Sequence, residues 1–108
     1  MTIDTITTAT ADTTTIEKPI LLTLKVSAKS NPNAVAGALA AVMRERDTAE
    51  IQAVGAAAVN QAVKSIAIAR SYLKDEGIDM VCVPAFMTIQ IGEERRTGIS
   101  LAVERRKA

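Results

Sequence analysis

From Leu21 the chain alternates: LLTLKVSAK sets Leu22, Leu24, Val26 and Ala28 on one side and Leu21, Thr23, Lys25, Ser27 and Lys29 on the other. That period of two predicts a half-buried strand. The period changes at Ser30-Asn31-Pro32, where capping residue types precede a proline suited to a first helical turn, and a helix is predicted over about 32–46. On a helical wheel Val35, Leu39, Val42 and Met43 share its core side. Ala49 to Gly55, AEIQAVG, predicts a second short strand with Ile51 and Ala53 on one face. A longer helix follows from Ala56 to about Lys74, with a core stripe of Val59, Ala62, Val63, Ile66, Ala69 and Leu73, and Gly77 closes it. From Ile78 the period of two returns in MVCVPAFMTIQI, Gly92-Glu93-Glu94-Arg95 reverses the chain, and Thr97, Ile99, Leu101 and Val103 alternate along a second hairpin arm. Pro84 cannot donate a ladder hydrogen bond and so marks an edge, a bend or a bulge. The pattern predicts an α+β fold in two layers, βαβαββ: a mixed four-stranded sheet with two helices on one face. Its first two strands are parallel through a right-handed crossover, and the hairpin extends the sheet. The domain is expected over 20–104. Residues 1–19, with eight Thr in the first fifteen, show no period that buries a face and are expected to be a disordered tail, the rival reading being a β extension at Thr13 to Ile16. Residues 105–108 are expected to be a basic tail.

Composition makes the core thin. Apolar residues are 48% of the 108, yet Tyr72 and Phe86 are the only aromatic ones, so packing falls to aliphatic side chains and many alanines. A small domain with such a core gains from oligomerisation. Two helix surfaces are candidate oligomer interfaces. Ala34, Gly37, Ala38 and Ala41 lie opposite the core stripe of the first helix, where charge is usual. They suit either an alanine-rich solvent face or the close approach of another subunit, and Gly37 costs helix stability. Ile68 and Tyr72 lie four residues apart in an otherwise polar arc of the second helix.

Thirteen basic and twelve acidic residues leave a formal charge of +1, no signature of a strong nucleic-acid or membrane binder. Histidine is absent and Cys82 is the single cysteine. The commonest general base, the commonest metal ligand and any intramolecular disulfide go with them, so no catalytic residue, metal site or cofactor is expected, and the chain does not read as an enzyme. The five glycines form neither a GxGxxG nor a Walker sequence. The ends of the first two strands feed helix N-termini that would suit a phosphate, as in every βα unit. With no leader-like start and no stretch of spanning length, a cytoplasmic protein without membrane partners is expected. Lys25 and Lys29, with Ser30, Asn31 and Asn33 following, and Arg95-Arg96 at the hairpin turn are the candidate nucleic-acid contacts, because Lys and Arg neutralise phosphate and Asn donates to it. Ordinary solvated charge is the alternative. Arg70, on the apolar side of the second helix, either snorkels, pairs with a carboxylate or reaches a ligand.

LKVSAKSNPNAVAGALA, EIQAVGAAAVNQAVKSIAIAR and VCVPAF, in this order, resemble the stage V sporulation protein S family. The middle block also resembles the wider Alba-like group, in which a strand of type IxAxG enters a helix of type AxxxAV. The resemblance implies the Alba-like βαβαββ fold, a homodimer or homotetramer, DNA or RNA as partner, and a regulatory role in bacterial sporulation, division or development. It also implies that the loop Lys29 to Asn33 and the hairpin tip with Arg95 and Arg96 hold the nucleic acid. The alternative is a protein-interaction or scaffold module that does not touch nucleic acid.

Overall fold

A computed structural model describes residues 22–106; the expected N-terminal tail and the last two residues lie outside the described residues. Strand β1 is Thr23–Val26, helix α1 Pro32–Glu45, strand β2 Thr48–Ala53, helix α2 Ala56–Leu73, a 3-10 turn Lys74–Glu76, and the hairpin β3 Asp79–Ile91 and β4 Glu94–Arg106. The sheet order is β1-β2-β4-β3, with β1 parallel to β2 and the other neighbours antiparallel. This is the predicted mixed sheet, and Pro84 lies on an edge strand, where its missing donor costs no ladder bond to a neighbour on the outer side.

The helix ends follow from local chemistry. Asn31 caps α1, its side-chain oxygen accepting from Asn33 N at 2.9 Å, and Pro32 opens the first turn. At the start of α2 the cap is Gly55 at φ 95, ψ 153, a backbone region essentially closed to residues with a Cβ. Gly77, at φ 76, ends the 3-10 turn in the left-handed conformation expected of it.

Several boundaries differ from the sequence expectation. β2 runs Thr48–Ala53 and not to Gly55, because Gly55 caps α2. β1 stops at Val26 because Ser27 and Ser30 divert the backbone: Ser30 Oγ accepts from Ser27 N at 2.9 Å and Ser27 Oγ from Lys29 N at 3.2 Å, so Ala28 is an exposed turn residue. The hairpin reversal needs only Gly92 and Glu93, since Ile91 already pairs with Glu94. β4 continues through Arg105 and Arg106, expected in the basic tail. Arg105 N donates to Asp47 O at 3.0 Å, its guanidinium caps the α1 carbonyl of Met43 at 3.0 Å, and Arg106 binds Asp79 at 2.6 Å.

The core lies between the helices and one sheet face, around Leu39, Met43, Ile51, Leu73, Leu101 and Val103. In α2 the buried stripe is Ala58, Ala62, Ser65, Ala69 and Leu73; Ala62, Ala69 and Leu73 lie there as expected and Val59 and Ile66 pack partly buried beside them, but the stripe is turned toward Ala58 and Ser65. Val63, expected inside, is 51% exposed, whereas Ser65, expected outside, is fully buried. Small residues on this stripe allow close helix packing, and Ser65 satisfies its hydroxyl on Gln61 O at 2.7 Å, removing the cost of burying it. The same rotation makes Ile68 half-buried against the core and leaves Tyr72 exposed, so the two do not form the exposed pair that the wheel suggests.

Gly37 sits in the interior of α1, exposed, with nothing within 4 Å of where a Cβ would stand. Gly37→Ala should therefore raise stability by about 0.5–1 kcal/mol through helix propensity alone. Urea denaturation should show a higher midpoint with an unchanged slope; an unchanged midpoint would contradict this account.

Candidate nucleic-acid interface

The register places the candidate residues at one end of the sheet. Val26, at the end of β1, pairs with Ala53, the last residue of β2, and Ala53 pairs with Ile99 of β4. β4 residues 94–98 and their β3 partners 87–91 therefore continue past the end of β2 as a free two-stranded arm. Five residues at about 3.3 Å each carry the tip about 17 Å beyond the sheet. The 27–33 loop leaves β1 at the same end, so loop and arm flank one end of the molecule. Two intervening strand spacings of about 4.8 Å separate β1 from β4.

The loop is held rather than loose. Besides the Ser27 and Ser30 bonds, Gln61 of α2 donates to Ser30 O at 2.8 Å. Ser30 and Asn31, both expected to contact a ligand, use a side-chain oxygen inside the loop, while Lys29 and Asn33 stand exposed. Lys25 projects from the open face of the sheet, in register with Gln52. There Glu50 accepts from Thr23, Gln52 and Ser100, a tie across β1, β2 and β4. Arg95 pairs across the arm with Gln90 and Arg96 with Ile89, so the two neighbours face opposite sides. The tip could thus meet phosphates on either side, although Glu93 and Glu94 balance its charge.

Charge pairing divides the molecule. Arg44 binds Glu76 at 3.0 Å, Arg70 and Arg106 bind Asp79 at 2.6 Å each, and Arg105 lies 3.7 Å from Asp47, all at the end opposite the arm. Arg70 thus takes the carboxylate partner, one of the roles open to it in the sequence. Lys25, Lys29, Arg95 and Arg96 have no ion-pair partner among the described residues. The free cations considered for binding stand at the arm end, and the opposite end is neutralised.

Asp79 gives the paired end a pH dependence. The Arg70 hydrogen bond, then the Met80 N–H at 2.8 Å and then Arg106 hold its carboxyl far below the ordinary carboxylate range. A lowered folded-state pKa contributes stability in full above the unfolded value of about 3.9, and that stability is lost as pH falls from there toward the folded value. Thermal melts should decline between pH 4 and pH 2, and Asp79→Asn should decline less steeply over that window. Equal acid slopes for the two proteins would refute the assignment.

Sequence reasoning passed over Gly98. A Cβ there would stand 2.9 Å from Ala53 O, from Met87 Cε and from Val54 Cγ2, so the arm root leaves room only for hydrogen. An isolated glycine inside an alternating strand was the available signal.

Alba from Thermoplasma volcanium is a solved structure similar to this chain: TM-score 0.54 over 79% of this chain and 99% of that one, at 16% identity. At that identity the likeness concerns the fold, which is the Alba fold: the four-stranded mixed sheet, the two helices and the βαβαββ order coincide. The family model of stage V sporulation protein S matches residues 22–106, from the start of the sheet to the last residue of β4. Fold, block order and extent of match agree, and the chain belongs to the stage V sporulation protein S family.

Proposed function

We propose that this protein is a cytoplasmic, non-enzymatic regulator of bacterial sporulation or development that works as an oligomer and binds DNA or RNA through the phosphate backbone. The family supports the developmental role. The observation that carries the binding reading is the separation of unpaired Lys29, Arg95 and Arg96 at the arm end from the neutralised arginines at the other. Asn33 in the loop and Lys25 on the open face extend the same surface, and the Ser27–Ser30 turn with the Asn31 cap holds the loop in shape. Fluorescence anisotropy with labelled RNA and DNA at two salt concentrations tests it. Binding should weaken as salt rises, because each phosphate contact releases a counterion. No binding at micromolar protein and low salt would remove the reading.

The charge-balanced tip and the overall charge of +1 favour a second reading, a scaffold that meets another protein in the same pathway. A stoichiometric protein partner retained after nuclease treatment is its expected result.

A further inference from the structure

We propose that the hairpin tip reads base edges in the DNA major groove, so that binding depends on sequence. Glu93 and Glu94 accept hydrogen bonds from base amino groups on the groove floor, while Arg95 and Arg96 hold the phosphates of its two walls. The inference rests on the nucleic-acid reading above and narrows its ligand to duplex DNA. It starts from a feature that backbone binding leaves unexplained. Two carboxylates precede the two arginines at the exposed tip, and among the described residues none of the four makes an ion pair. A carboxylate only accepts, so beside a phosphate it repels and gains no hydrogen bond. On a duplex it finds donors only at base amino groups: cytosine N4 and adenine N6 in the major groove, guanine N2 in the minor.

The dimensions of the arm choose between the grooves. Two strands about 4.8 Å apart in a layer about 10 Å thick make a rod about 10 Å across. That rod enters a major groove about 12 Å wide and not a minor groove about 6 Å wide. The major groove of A-form RNA is too deep and narrow for side chains to read, which sets DNA above RNA. The heights agree as well. Arg95 and Arg96 stand two and three residues behind Glu93, about 7 and 10 Å from the tip. The major groove is about 8.5 Å deep, so both guanidinium groups come to phosphate level when the tip meets the floor. Successive residues point to opposite faces of the arm, which gives one arginine to each wall. Ile91, paired with Glu94 and 49% exposed, stands at floor level, where a thymine methyl is its apolar partner. The tip is also held in shape. Gly92 takes φ 61 in the turn, and its carbonyl accepts from Gln90 Nε2 at 3.0 Å. A tip ordered before binding loses less freedom on association.

Selection from duplexes with a random central segment, followed by fluorescence anisotropy on the full chain at one salt concentration, tests the assignment. An enriched sequence should appear, bound at least about tenfold more tightly than a scrambled duplex, the scale of one or two correct base pairs. Glu93→Ala with Glu94→Ala should bind both duplexes alike. It should hold the scrambled one at least as tightly as the wild type does, since two negative charges have left the tip. Circular dichroism checks that the variant is folded. Inosine in place of guanine removes the minor-groove amino group and leaves the major-groove edge unchanged, so the wild-type preference should survive it. An RNA duplex of the selected sequence should bind more weakly. Binding with no enriched sequence, a double variant that keeps the wild-type preference, a preference lost with inosine, or an RNA duplex bound as tightly would overturn base reading by the tip and leave backbone binding standing. Failure to bind any duplex at micromolar protein and low salt would overturn both.

Discussion

Reversing both charges at the hairpin tip, Arg95→Glu with Arg96→Glu, should weaken nucleic-acid binding about 60-fold in 0.1 M salt. A phosphate contact on a duplex contributes about 0.9 to the slope of log K against log salt, which at 0.1 M is about eightfold in affinity per contact, and two contacts multiply. The salt slope should fall by about two as well, a signature that loss of folding does not produce. Both residues are exposed on a free arm and hold no carboxylate, so their replacement removes no internal contact. Lys29→Glu should cost about tenfold and lower the slope by about one. Lys74→Glu, exposed at the opposite end of α2, serves as the control and should bind nearly as the wild type. A tip variant with wild-type affinity and slope would exclude the arm from the interface, whatever else binds.

Gly98→Val should lower stability by about 3 kcal/mol, the upper end of the cost of overpacking a well-packed site. Even a methyl group would meet the Ala53 carbonyl at 2.9 Å, and a backbone atom cannot step aside as the end of a side chain can. For a domain of this size each kcal/mol is worth about 4–8 °C, so the melting temperature should fall by about 12–24 °C. Gly98 is the first residue beyond the last pair between β4 and β2, so the strain falls at the root of the arm. If the variant melted within 3 °C of the wild type, the close packing at that root would be disproved. Gly55→Ala should also destabilise, by about 1–3 kcal/mol, through backbone conformation and not contact, since nothing lies within 4 Å of its Cβ position.

The elements were legible because their signals are local. Alternation in LTLKV and in MVCVPAF, the Asn31-Pro32 start and the Gly77 stop each act within a few residues, and each reappears where it was expected. The candidate site was legible as residue types and as a loop and a turn, but not as a surface. That Ser30 and Asn31 spend side-chain oxygens on the loop, and that Arg95 and Arg96 face opposite sides of a free arm, depends on partners fixed by strand register.

The sequence by itself determined the order βαβαββ, the helix ends and the absence of histidine chemistry, because period, capping and composition need no distant partner. Only the tertiary structure decided which arginines are neutralised. Asp79 meets Arg70 nine positions away but Arg106 twenty-seven away, and only strand pairing brings the latter to it. It also decided how far the buried stripe of α2 is turned, taking in Ala58 and Ser65 and leaving Val63 out. A helix carrying apolar residues around most of its girth has several stripes of similar hydrophobicity, and the choice falls to the one whose small residues, Ala58, Ala62, Ser65 and Ala69, let the backbone approach its neighbours. Val63 was left outside by that choice, beside Phe86.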